Sequence, residues 1–289
     1  MTSSYKLPSV PTLKKDDGLY TTNELETGEY LLQKWFPDDD ILNDSDEHKE
    51  VRNRVNMYLQ EQSKTIPPPI TDWEMGVIKT ISPLKASGCD LIKAIVLQNL
   101  SLNNSKIIKS IFNLCLKFGL FPTTWKIGDG SILPKADRND IENYKAYRCI
   151  TLLSVLGKWF EKNTLKRFLW KTYICQSISS NQFGSLPGKS CEQALSKIVR
   201  TIENAYNDKK YVLVIFLDIA GAFDSTWHPS IVKSLIEKGI DKGYVDLIQD
   251  YLSNRLIRIK INNSVSQKKS DDVGYPGGWV VTFPMELRF

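Results

Sequence analysis

"YVLVIFLDIAGAFDSTW" (residues 211–227) is the stretch on which the reading of this chain turns. Seven apolar residues lead straight into a carboxylate, Asp218, and small residues then lead to Phe223 and Asp224. An apolar run of that length, bounded by small residues, reads as a buried strand over 211–217. A buried and unpaired charge is costly enough that such a group is neutralised, hydrogen-bonded or bound to a metal. Taken alone, Asp218 is equally well explained as a turn or helix-cap residue. The flanking sequence has to choose.

Bulk properties narrow the choice only a little. The chain has 289 residues, 42% hydrophobic and 25% charged, which is ordinary globular composition. A net charge of +5 and a pI near 8.8 suit a polyanion-binding surface without requiring one. Five cysteines (89, 115, 149, 175 and 191) form no C-x-x-C pair, and His48 and His228 are the two histidines. A zinc site or disulfide framework is therefore not expected, and a reduced compartment is. No apolar run approaches the ~18 residues of a membrane span. The start, "MTSSYKLPSVPTLKKDDG", has no apolar core of a secretory signal. The expectation is a soluble intracellular protein, nuclear or cytoplasmic.

Residues 1–70 read as a partly disordered connecting segment. It holds one amphipathic stretch, "NELETGEYLLQKWF", then the acidic run "PDDDILNDSDEHKE", and ends at "TIPPPI". "TDWEMGVIKTISPLK" opens with a Thr-Asp cap signal and spaces Trp73, Val77, Ile78 and Ile81 as a helix. "SLNNSKIIKSIFNLCLKFG" is a second helix, expected to bury Ile107, Ile108, Ile111, Leu114 and Leu116 and to stop at Gly119. "GSILPK" and "YRCITL" read as strands, followed by the helix "SVLGKWFEKNTLKRFLWKTY". A helix follows "GKS", another starts near Pro229, and "RLIRIKINNSVSQKKS" reads as a hairpin turning at Asn262–Asn263. Early helices and late strands point to an α+β fold, helix-rich with a small antiparallel sheet.

Two chemistries compete for Asp218. "GSLPGKS" (184–190) ends like a phosphate-binding loop, for which the acid would help hold magnesium. The loop has one residue too few between its glycines, follows the polar "QSISSNQ" and contains Pro187. The second is a two-metal polymerase palm, in which magnesium activates an attacking hydroxyl and neutralises the leaving group. Magnesium takes oxygen ligands, commonly one or two carboxylates plus substrate phosphates, and a strand end holds a carboxylate still.

Residues 216–240, "FLDIAGAFDSTWHPSIVKSLIEKGI", decide between them, because the segment resembles the first catalytic motif of reverse transcriptases of non-LTR (LINE-type) retrotransposons. The resemblance runs nearly the whole chain. "LKKDDGLYTTNELETGEYLLQKWFPDD" resembles the segment that joins endonuclease to polymerase, and "SPLKASGCDLI" the fingers motif K-[AS]-P-G-x-D-G-I. "FPTTWKIGDGSILPK", "YRCITLLSVLGKWFEK" and "NQFGSLPGKSCEQAL" follow in the family's order.

By that resemblance Asp218 is the catalytic metal ligand and the Ile219 carbonyl a second ligand. Phe223 would pack beneath the incoming sugar and exclude a ribose 2′-hydroxyl, while Asp224 holds local structure. Lys135 and Arg148 would contact the incoming triphosphate. Arg148 stands between Tyr147 and an apolar run, where a charge is expected to need a partner. Gln182, Phe183, Gly184, Gly188 and Ser190 match the template-side motif. Lys158, Trp159, Lys166, Arg167 and Trp170 form a possible polyanion track, against the plainer reading of a wet basic helix face. The resemblance implies magnesium, deoxynucleoside triphosphates, an RNA template and a DNA primer, with 71–210 as fingers region and 211–289 as partial palm.

The chain also departs from the pattern. Cys149 replaces a usual proline, Ser87 and Leu91 replace proline and glycine, and Ala220 replaces a polar residue. "GYPGGWVVTFPMELRF" carries Gly277, Trp279 and Pro284 where G-x-P-Q-G-S-x-x-x-P is usual. No aromatic-x-Asp-Asp stretch follows Asp218, and Asp271–Asp272 lack the aromatic residue. The expectation is a truncated copy without primer-extension activity of its own. A non-catalytic RNA-binding remnant is the alternative, and an intron-maturase-like protein a more distant one.

Overall fold

A computed structural model describes residues 12–61, 65–136, 140–174, 179–184, 186–218 and 226–270. The described residues form two cores, one around a sheet and one among helices. Strand β1 (Ile127–Pro134) pairs antiparallel with β2 (Tyr147–Leu152), and the two overlap the segments "GSILPK" and "YRCITL" read as strands. The expected hairpin is β3 (Arg255–Ile261) and β4 (Ser264–Ser270). Its register pairs Ile261 with Ser264, which leaves Asn262 and Asn263 as the loop, with Asn262 at φ 49°. Asparagine tolerates that left-handed backbone better than most residues.

The sheet order is β2-β1-β3-β4, and β1 runs parallel to β3. The small antiparallel sheet expected from sequence is therefore a mixed one. The chain leaves β1 and returns to pair with it in the same direction more than a hundred residues later, a pairing that no local pattern encodes.

Helix α1 (Glu24–Trp35), capped by Asn23, covers one face of this sheet. Leu31, Leu32, Trp35 and Phe36 pack with Ile132, Tyr147, Ile257 and Ile259. The contact is close because Gly28 sits against Ser266, whose hydroxyl donates to the Leu25 carbonyl at 3.0 Å.

The second core joins α4 (Ala94–Phe118), α5 (Val155–Ile174), α7 (His228–Glu237) and α8 (Lys242–Leu252). Phe112 and Trp159 meet edge to face at 5.3 Å, and Phe121 and Tyr251 at 4.8 Å. Such pairs add directional preference to the burial of large apolar area. The cores are tied together at Asp250, which accepts from the Phe121 amide at 2.6 Å and pairs with buried Lys126 at 2.8 Å. Helix α2 (Asp46–Gln60) packs on α7, with the Arg52 guanidinium 4.9 Å from the Trp227 ring centre and bound to Asp39 and Asp44.

Three further expectations are corrected. Residues 211–217 join no ladder and lie exposed, Leu217 at 91%. Seven apolar residues make a strand only where a neighbouring strand takes their hydrogen bonds, and no described strand does so. Helix α4 stops at Gly119, φ 62°, as expected, but buries Leu97, Phe112, Cys115 and Leu116 and exposes Ile107, Ile111 and Leu114. Both stripes are apolar, so periodicity could not choose between them. The 71–85 segment is one short turn, α3 (Asp72–Met75), followed by a 3-10 turn, Gly76–Thr80; Val77, Ile78 and Ile81 are buried while Trp73 is exposed.

Candidate functional site

The β1–β2 hairpin positions two of the basic residues. Leu133 stands opposite Arg148, and the Lys135 amide donates to the Ala146 carbonyl at 2.9 Å just beyond the strand end. Side chains alternate along a strand, so Ile132 and Tyr147 face the core while Leu133 and Arg148 face away, and Lys135 continues that outer row. Arg148 and Lys135 are both exposed. The apolar run around Arg148 thus does not enclose it: the guanidinium stands in solvent, with no carboxylate in ion-pair range among the described residues.

The loop 86–92 is pinned to the far end of the same hairpin. Asp90 accepts from the Ser154 hydroxyl at 2.6 Å and from the Ile92 amide at 3.1 Å. Gly88 lies against the Leu153–Ser154 peptide, and a Cβ at position 88 would sit 2.5 Å from both the Leu153 carbonyl carbon and the Ser154 nitrogen. The glycine and aspartate of "SGCD" therefore both dock where β2 hands over to α5. Beside this loop Asp129 pairs with Arg258 at 2.6 Å across β1 and β3.

Asp218 is exposed, at the end of the unpaired 211–218 run. No cation lies in ion-pair range of it among the described residues, and no group of three His, Cys, Asp or Glu able to hold a metal occurs there. Ile219, Phe223 and Asp224 lie outside the described residues, as do Asp271, Asp272, Gly277 and Trp279.

The 182–190 segment feeds helix α6 (Cys191–Asn207). Gln182 Nε2 donates to the Gly184 carbonyl at 3.3 Å, and Gly188 takes a left-handed φ of 77°. Ser190 and Gln193 form a capping box, each side chain bonding the other's backbone amide at 3.2 Å. The Phe183 ring lies 5.1 Å from the Lys189 ammonium and 6.0 Å from that of Lys197. It walls a groove of about 480 Å³ whose other residues include Lys197 and Arg200.

Helix α5 divides the five residues read as a polyanion track. Trp159 is buried in the aromatic core. Arg167 is spoken for: it grips Glu74 at 2.6 and 2.8 Å and also the Pro68 and Pro69 carbonyls. Lys158, Lys166 and Trp170 remain on the outer side. The reading from sequence omits Lys162, which lies between the two lysines at the i+4 spacing that would have revealed it.

Residues 133–282 match the family described as reverse transcriptase (RNA-dependent DNA polymerase). The chain belongs to the reverse transcriptase family. Within it, this reverse transcriptase domain is of the non-LTR retrotransposon type. It is 30% identical over 238 residues to the "probable RNA-directed DNA polymerase from transposon X-element" of Drosophila melanogaster, covering 81% of this chain and 25% of that protein. The probable RNA-directed DNA polymerase from transposon BS, of the same organism, is 27% identical over 82% of this chain and 26% of its own length. The RNA-directed DNA polymerase from mobile element jockey, also from Drosophila melanogaster, is 28% identical over 68% of this chain and 21% of its own length. The domain thus spans about a quarter of the length of these curated relatives. The family generally uses divalent metal ions and works on an RNA template with a nucleic-acid primer. No helix among the described residues is long and apolar enough to cross a membrane.

Proposed function

We propose that this domain supplies the nucleotide- and template-facing part of an RNA-directed DNA polymerase, which extends a DNA primer on an RNA template with deoxynucleoside triphosphates. One observation supports the reading above all. Gly88 and Asp90 dock on the Leu153–Ser154 junction that ends the Arg148 strand, so two segments read as fingers motifs form one fixed unit. Lys135 and Arg148 then offer two cations on one hairpin face, both open to a triphosphate. Gln182, Gly184, Gly188 and Ser190 would approach the template through the turn that feeds α6, and Phe223 would line the sugar.

Asp218 fits magnesium in donor type: an exposed oxygen ligand with no cation in ion-pair range among the described residues. It would hold the ion together with the Ile219 carbonyl and the triphosphate oxygens. A bound magnesium ion would lower the pKa of the attacking hydroxyl and neutralise the leaving group. Asp218 would hold the ion in place, while Lys135 and Arg148 would orient the phosphates.

The test is binding of a fluorescent deoxynucleoside triphosphate in magnesium buffer. Asp218→Asn and Arg148→Ala should each weaken it about tenfold, the weight of one charge-assisted contact. Binding unchanged in both variants would overturn the reading. A second reading, RNA binding without catalysis, draws on the outward Lys166 and Trp170 of α5. It expects RNA binding and no primer extension by the 289-residue chain.

A further inference from the structure

A row of positive charge runs along the outer side of α5, and a second segment lies beside it in register. Lys158, Lys162, Lys166 and Trp170 recur every four residues, about 6 Å per step along the helix. The segment 71–85 passes alongside with its own residues matched to that row. Lys166 holds its ammonium 5.7 Å from the centre of the Trp73 ring. Lys162 donates to the carbonyl and hydroxyl of Thr80, each at 3.3 Å. Lys85 is close enough to Lys158 and Lys162 to lower the pKa of both, after the effect of burial.

The row is built on a rigid frame. Thr71 and Glu74 form a capping box that fixes the turn carrying Trp73. Arg167, one residue along α5 from Lys166, clamps Glu74 from the other side. Among the described residues, the acids near Lys85, Lys158 and Lys166 are engaged elsewhere or act weakly on them. Glu74 belongs to Arg167, Asp90 to Ser154, and Asp72 to Lys109 at 2.6 Å. The acids facing Lys158, Glu161 and Asp90, act on it less than Lys85 does. Among the described residues, Lys85, Lys158 and Lys166 meet no carboxylate in ion-pair range.

Like charges held this close repel, so a fold keeps them together at a cost that a polyanion offsets. Two large indoles stand open beside them, Trp73 at 80% exposure and Trp170 at 68%. Exposed tryptophan in line with lysine suits a ligand that alternates phosphate with flat aromatic rings. We propose that Lys85, Lys158, Lys162 and Lys166, with Trp73 and Trp170, form a binding surface for single-stranded nucleic acid. Phosphates lie along the ammonium row, and bases stack on the two indoles. The proposal rests on the domain handling nucleic acid and adds which surface does so, apart from Asp218 and the β1–β2 hairpin.

The experiment uses the whole chain, a fluorescein-labelled oligouridylate and fluorescence anisotropy over a salt series, with no deoxynucleotide present. Lys158→Gln/Lys162→Gln/Lys166→Gln should weaken binding at least tenfold and flatten the slope of log K against log salt by about 2, near 0.7 per lost phosphate contact. Because Lys158 is part-buried, Lys85→Gln/Lys166→Gln serves as a second variant at exposed positions, expected to flatten the slope by about 1.4. Trp73→Ala/Trp170→Ala should weaken the oligonucleotide about tenfold or more, as loss of base stacking does, and leave binding of inorganic polyphosphate unchanged. Wild-type affinity and slope in both lysine variants would overturn the proposal. So would equal loss of polyphosphate and oligonucleotide in the tryptophan variant, or preference for phosphatidylserine vesicles. Asp218→Asn, run in parallel, should bind oligouridylate like wild type. If that variant keeps deoxynucleotide binding while the lysine variants lose oligouridylate, the catalytic reading fails and the surface stands.

Discussion

Gly88 leaves no room for a side chain against Ser154: a Cβ there would lie 2.5 Å from the Ser154 nitrogen. The obstacle is backbone on both sides of the Leu153–Ser154 peptide, which cannot swing aside as a flexible side chain can. Gly88→Ala should therefore cost about 1–3 kcal/mol, the usual price of overpacking. Gly76 is the control. It has ordinary helical angles and open space where a Cβ would stand, so Gly76→Ala should be neutral or slightly stabilising. Urea denaturation of the two variants separates them, and equal midpoints would mean the 86–92 loop is not seated as described.

The Glu74–Arg167 pair makes part of the stability depend on acid. The Arg167 guanidinium holds the Glu74 carboxyl at about 2, against 4.5 for an unperturbed glutamate. A depressed folded-state value means that the stabilisation is complete above about pH 4.5 and is lost as pH falls towards 2. The pair is partly open to water, so a contribution of about 1 kcal/mol is expected at pH 7. Thermal midpoints of Glu74→Gln and wild type should differ most at pH 6 and converge towards pH 3. A gap that stays constant across that range would assign the pair no electrostatic role.

Much of this fold was legible for local reasons. Short strand-like segments overlap β1 and β2, the Asn262–Asn263 turn marks the β3–β4 hairpin, and Gly119 and Ser190 mark helix ends. The parallel pairing of β1 with β3 was not legible, because its partners are far apart in sequence. Nor was the choice of buried stripe on α4, since both stripes are greasy. At the candidate site, resemblance supplied Asp218, Lys135 and Arg148, and alternation puts the last two on one face. The partner of Arg167 is not legible for a physical reason: Glu74 lies 93 residues away.

Cysteine reactivity should follow burial. Cys115 lies in the helical core, where desolvation pushes its thiol up to about 11, whereas Cys191 is exposed at the start of α6. The thiolate is the reactive form. With a thiol-reactive disulfide reagent at pH 8, Cys191→Ser should remove one fast equivalent, and Cys115→Ser should change only the equivalents gained on unfolding. Fast labelling of Cys115 in the native protein would contradict the packing of α4.

The exposed run 211–217 gives the sharpest contrast. As a buried strand, Phe216 would lose several kcal/mol of stability on truncation, as large core residues do. Here its ring is 83% exposed, so the folded state gains little from it. Phe216→Ser should shift stability by no more than about 0.5 kcal/mol, as surface changes do. Ile257, fully buried between α1 and the sheet, is the reference, and Ile257→Ala should cost about 2–5 kcal/mol. The same comparison reads out self-association, because seven exposed apolar residues form an aggregation-prone segment. Phe216→Ser should raise the concentration at which light scattering begins, and Ile257→Ala should lower it by populating unfolded chains. If Phe216→Ser proves as destabilising as Ile257→Ala, the run is buried in solution, and Asp218 then ends a covered strand.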